Sequence, residues 1–169
     1  MIPRLFLASL LALTGIAAAD RYPDNLAPFQ NVCLYAFVAD DIRQVTGAEV
    51  LTEMRRFAGR ANLPVTSTDC TRNSGTTITL LIGLQVALDR QNFAYYLASQ
   101  GIVTRPDVRV DAAHMLFQGT VVWESGAIGF GPADQLTRQF WLNRVDVQMA
   151  EFVQDWWRSH PARRLAWRP

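Results

Sequence analysis

The sequence predicts an α+β fold. It is a two-layer sandwich whose mainly antiparallel sheet of about five strands carries two helices on one face, in the order β-α-β-β-β-β-α. Three observations carry this reading. Branched aliphatics occupy every second position from Ile78 to Leu88, a period that a strand produces and a helix does not. Apolar residues recur at helical spacing after Thr46 and again between Leu142 and Trp156. Short polar turns separate the remaining apolar runs, so successive strands fold back on one another.

The elements follow in chain order. Asp20 to Asn31 contains two prolines and reads as an irregular arm, either free or laid across the body through Phe29. Val32 to Val38 (VCLYAFV) is apolar and rich in strand formers, and Asp40-Asp41 breaks it. Thr46-Gly47-Ala48-Glu49 has the spacing of a capping box, in which the Thr hydroxyl takes the third helical amide and Glu reaches back. The helix it opens, about 47–62, buries Val50, Met54, Phe57, Ala58 and Ala61 and ends at Asn62 and Pro64. Residues 65–68 read as a short second strand, and 69–75 (DCTRNSG) as a loop.

A long half-buried strand runs from Thr76 to Asp89, with Ile78, Leu80, Ile82, Leu84, Val86 and Leu88 inward. Thr77, Thr79, Gln85 and Asp89 make its second face look wet. Residues 93–103 alternate as a strand, although FAYYLA also suits a helical turn. A strand over about 113–124 follows, and Gly126, Gly129 and Gly131 are expected to end the sheet. The last helix is expected to start at Pro132, a favoured first-turn residue, and to reach Ser159, about 40 Å away at 1.5 Å per residue. Its stripe is Leu142, Val145, Met149, Phe152 and Trp156, extended by Leu136 and Phe140.

The first nineteen residues place the chain in a compartment. Arg4 supplies a positive start, Leu5 to Ile16 an apolar run, and Ala17-Ala18-Ala19 a small-residue cleavage site. Together they form the pattern of a secretory signal peptide, with an apolar run too short to span a bilayer. The expected organisation is a signal peptide at 1–19, the arm at 20–31, one domain at 32–160 and a basic, aromatic tail at 161–169. A periplasmic or secreted location follows, with no transmembrane segment after cleavage. All sixteen basic residues are Arg, which removes lysine chemistry. Arg4 leaves with the leader, so the mature charge is near zero. That speaks against a nucleic-acid partner, which needs a large basic excess.

Cys33 and Cys70 are the only cysteines, and an even count in an oxidising compartment favours a disulfide. It would close a loop of ~38 residues, worth ~4 kcal/mol on the chain-entropy argument. It also constrains topology. Parallel neighbours at 32–38 and 65–68 would hold the two cysteines ~17–20 Å apart, too far to bond. A bond therefore needs either antiparallel pairing or a 69–75 loop that folds back.

No catalytic, cofactor-binding or metal-ligating residue is assigned. His114 opens a strand among apolar neighbours, and His160 ends the last helix, where a cation or cap is favoured. Their spacing suits no metal motif. Glu124-Ser125-Gly126 lacks the first glycine of a nucleophile elbow. Trp157 lies ~100° around the helix from Trp156. With Arg158, Arg163, Arg164, Trp167 and Arg168 it forms an Arg/Trp end of the composition found at interface hot spots. The element order resembles that of small periplasmic α+β accessory domains, an analogy of fold that assigns no function. The functional expectation is an exported, soluble, non-catalytic accessory or binding module, docking an envelope protein through the Arg/Trp end. The alternatives are a small-ligand carrier using the sheet face opposite the helices, or a hydrolase using Asp40, Asp41 or Glu124.

Overall fold

The structure is a computed structural model that describes residues 23–66, 70, 75–103 and 120–162. The leader, the start of the arm, His114, residues 113–119 of the expected strand and the tail from Arg163 lie outside the described residues. Four strands form one sheet in the order β1-β2-β3-β4: β1 Asn31–Val38, β2 Thr77–Leu88, β3 Asn92–Val103 and β4 Thr120–Pro132. The pair β1–β2 is parallel, while β2–β3 and β3–β4 are antiparallel. Helix α1 spans Gly47–Arg60 and α2 spans Arg138–Ser159.

The topology follows from the connections. A helix joins β1 to β2, which leaves room for a parallel crossover, and three residues (Asp89 to Gln91) join β2 to β3, which forces a hairpin. Asp89 holds that turn by accepting from the backbone N–H of Gln91 and Asn92, at 2.8 and 2.6 Å. These bonds to the charged form keep its carboxyl below the usual range. Both helices run against the direction of β1 and β4 and lie side by side. Glu49 of α1 accepts from Arg138 at the start of α2, at 2.7 Å, and Trp157 near the end of α2 donates to the carbonyl of Ala61 at 3.1 Å.

The capping box is present. Thr46 Oγ1 accepts from the Glu49 N–H at 3.2 Å, and Glu49 Oε2 accepts from the Thr46 N–H at 2.9 Å. Between the layers lie Val32, Leu34, Val50, Met54, Ala58, Ile78, Leu80, Ile82, Leu84, Leu97 and the stripe Leu142, Val145, Met149, Phe152 and Trp156, all buried. Trp141 is also fully buried, although it lies off that stripe. It meets Tyr95 and Phe140 edge-on, at 5.9 and 5.4 Å between ring centres.

Four sequence expectations change. Of the expected 65–68 strand, 67 and 68 lie outside the described residues and Val65 makes an isolated parallel bridge to Val32, so the described sheet has four strands. The glycines do not end the sheet, because β4 runs through Gly126, Gly129 and Gly131 to Pro132. Their role is close packing. A Cβ on Gly129 would lie 2.4 Å from the ring of Tyr95, directly across on β3, and one on Gly131 would lie 3.1 Å from that of Phe93. The two rings cover the gaps left by the missing side chains, an aromatic rescue of edge glycines. Pro132 consequently closes β4 rather than opening α2. The cap is Thr137, whose hydroxyl accepts from the Phe140 N–H at 3.1 Å, and α2 is ~33 Å long at 1.5 Å per residue. Finally, Thr77 and Thr79, expected on a wet face, are buried.

The described part of the arm is fixed. Pro23–Leu26 forms one tight turn, and Leu26 and Phe29 are buried. Asn25 Nδ2 donates to the Val122 carbonyl at 3.0 Å, and Ser159 donates to the Pro23 carbonyl. His160 is the C-cap of α2. It stacks on Trp156, and its two ring nitrogens lie 2.8 Å from the Trp156 carbonyl oxygen and 2.7 Å from that of Phe29.

Candidate functional site

Strand parity divides the sheet into two unlike faces. Even positions of β1 and β2 point to the helices, and their odd positions point outward. Register carries the outward set across the sheet: Phe37, Gly83, Ala98 and Gly126 form one row, Gln85, Tyr96 and Ile128 the next, and Ala87, Ala94 and Phe130 the last. Phe37 is 40% exposed, Tyr96 42%, Ile128 81% and Phe130 90%. Within the first row only the small residues Gly83, Ala98 and Gly126 lie beside Phe37. No charged side chain lies in these three rows. Isolated exposed apolar residues are ordinary, but here four large ones are grouped by register on one face.

The outer face changes character towards the start of β1. There Cys33, Thr79, Leu81 and Ile102 are buried. The Cys33–Cys70 disulfide is formed, with Cα atoms 5.5 Å apart. The parallel Val32–Val65 bridge excludes the antiparallel alternative, and Cys70 lies over the outer face, beside Tyr35.

At the other end of the face, Asp41, Arg43, Gln44, Val86, Ala87 and Leu88 line an open cleft of about 640 Å³. Asp40 and Asp41 are exposed on the loop leaving β1. Glu124 lies on β4, at the opposite edge of the sheet, where Gln100 donates to it at 3.1 Å. Three strand spacings, ~14 Å, separate these carboxylates. The structure therefore does not bring the Asp pair and Glu124 into one site. Among the described residues, no group of three or more His, Cys, Asp or Glu side chains is placed to hold a metal ion.

Of the Arg/Trp end, Trp157 and Arg158 are described. Trp157 is half-buried, packs against the core and directs its indole N–H to Ala61. Arg158 is exposed and pairs with Asp155 at 3.5 Å. Arg163, Arg164, Trp167 and Arg168 lie outside the described residues.

Sequence reasoning missed a buried polar group beneath α2. Asp155, 1% exposed, accepts from Trp123 Nε1 at 3.0 Å, and Ser125 donates to Glu151. Gln148 and Ser99 are buried in the same layer. The signal was available. Gln148, Glu151 and Asp155 recur at spacings of three and four, and Ser99 and Ser125, paired across β3 and β4, occupy the helix-facing parity. A second acidic pair joins the helices. Arg56 holds the Glu53 carboxyl below its usual range, whereas burial and the Glu53 contact push Asp146 upward.

No family model matches the chain, and no curated protein matches it. Among solved structures, the chain is similar to the crystal structure of the rare lipoprotein B from Shewanella oneidensis. Sequence identity is 11% and the TM-score is 0.34, over 79% of this chain and 97% of that one. No helix among the described residues is long and apolar enough to cross a membrane.

Proposed function

We propose that this chain is an exported, non-catalytic accessory module that binds an envelope protein through the outer face of its sheet. The observation that carries the reading is the group of exposed apolar side chains Phe37, Tyr96, Ile128 and Phe130 in three uncharged rows of one face. Such a surface is costly to leave in water and suits an apolar, neutral protein segment. The separation of Asp40 and Asp41 from Glu124 supports a role without acid–base chemistry. Export is supported by the signal-peptide pattern and the disulfide.

A second reading keeps the Arg/Trp end as the docking element. Its support is the exposed guanidinium of Arg158, held by Asp155 where the tail departs. Affinity capture from the native envelope separates the two readings. The variant Phe37→Glu with Tyr96→Glu should fold and lose the partner, whereas truncation after Pro161 should keep it. Loss on truncation alone would transfer the role to the tail. The same partners retained by both variants would sink both readings.

A further inference from the structure

We infer that β4 is a dimerisation edge, at which two copies of the chain pair antiparallel about a two-fold axis at Ile128. The inference goes beyond the binding reading, because it concerns the rim of the sheet rather than its face.

The two edges of the sheet are treated differently. On β1, Val32 donates to the Pro64 carbonyl and accepts from Thr66, both at 2.9 Å, so its outer side carries a covering segment. On β4, the last strand in the order, Asn25 of the arm bonds the Val122 carbonyl near the start, and no described strand lies beyond the stretch from Ser125 to Gly131. Proteins blunt open edges with charge, with a central Pro or with a short strand. From Ser125 to Gly131 β4 has no charge and no Pro, and its one bulge lies at the far end, between Gly101 and Ile102 of its neighbour. It is a long strand, Thr120–Pro132, and its outward residues Ile128 and Phe130 are among the most exposed apolar side chains described. An unprotected edge of this kind is a template for another strand.

The occupant is a second copy because the sequence of β4 is complementary to itself. Pairing about Ile128 sets Ile128 against its own copy and Phe130 against Gly126 on the outer face. On the helix-facing side it sets Ala127 against Gly129 and Ser125 against Gly131. Each large ring therefore meets a gap, no large side chains collide on the inner side, and no like charges oppose. Glu124, the nearest charge, faces Pro132. Cross-strand pairs of this kind are the unit of sheet stability. The product is one continuous sheet through both copies, whose outer faces join across the axis in a closed isologous interface.

The test is sedimentation equilibrium of the full mature chain with its disulfide intact, over a concentration series. A reversible dimer is expected. Ile128→Lys should raise the dimer Kd at least about tenfold, because two like charges meet at the axis and the apolar Ile128–Ile128 pair is lost. Ile128→Glu should do the same. Mixing the two variants should restore association, since residue 128 faces residue 128. Residue 128 is exposed, so neither change threatens folding, and near-ultraviolet circular dichroism verifies that. Ile128→Cys, as the one free thiol beside the existing disulfide, should cross-link two copies on oxidation. A monomer at every concentration overturns the inference, as does a dimer indifferent to residue 128 or a mixture that fails to associate. A monomer that still captures its envelope partner would remove the dimer and leave the binding reading standing.

Discussion

Replacing both cysteines, Cys33→Ala with Cys70→Ala, measures how much of the fold depends on the constraint across the outer face. The bond joins residues 37 apart in sequence. On the chain-entropy relation, closing such a loop removes ~13 cal/mol/K from the unfolded ensemble, or ~4 kcal/mol at room temperature. Both cysteines are buried, but their packing partner is mainly Tyr35, so the loss of contacts is small beside the entropy. For a domain of this size, ~4 kcal/mol corresponds to a fall of ~8–16 °C in Tm. Urea titration of oxidised wild type and the double variant checks the reasoning in two ways. The stability difference should approach 4 kcal/mol, and the denaturant slope should rise because the unlinked unfolded chain exposes more surface. A difference under ~1 kcal/mol with an unchanged slope would refute the entropic argument. It would mean that Cys70 is held over the outer face by other contacts and the bond merely reports it.

The remaining predictions concern single sites. Gly129→Ala should cost ~1–3 kcal/mol in urea unfolding, since the new methyl displaces the Tyr95 ring from its seat. Asp155→Ala should cost ~1–3 kcal/mol by stranding the buried Trp123 N–H, and Asp155→Asn should recover most of it by restoring the acceptor. Ser99→Ala should be neutral or stabilising, because the buried Ser99 hydroxyl finds no partner among the described residues. The pH prediction rests on Glu49. Bonds from Arg138 and Thr46 lower its pKa from 4.5 to about 2, so the unfolded chain binds the proton first as pH falls. Its stabilisation is therefore complete above pH 4.5 and is lost progressively towards pH 2. Glu49→Gln should flatten the stability–pH curve in that window, and acid titration followed by circular dichroism would expose the opposite slope if the assignment were mistaken.

Much of this architecture was legible from spacing alone. Alternation over Ile78 to Leu88 identified β2, and the capping box located the start of α1 to the residue, because both are local rules that no distant partner overrides. The boundaries of β4 and α2 were misread. Gly126, Gly129 and Gly131 look like breakers until Phe93 and Tyr95 of the neighbouring strand are seen to occupy their space, and Pro132 serves the end of a strand as well as the first turn of a helix. The candidate site was less visible. Threonines on one strand made the outer face look wet, whereas its apolar character comes from Phe37, Tyr96, Ile128 and Phe130 on three other strands.

What the chain order alone supplied was the α+β class, the start of α1, the apolar stripe of α2 and a preference for pairing its two cysteines. Those depend on periodicity and on a count of two. What tertiary structure decided was register: which outward residues share a row and which carboxylates stand apart. Register sums contacts between segments far apart in sequence, and a shift of one residue exchanges the faces of a strand. No local pattern carries that information.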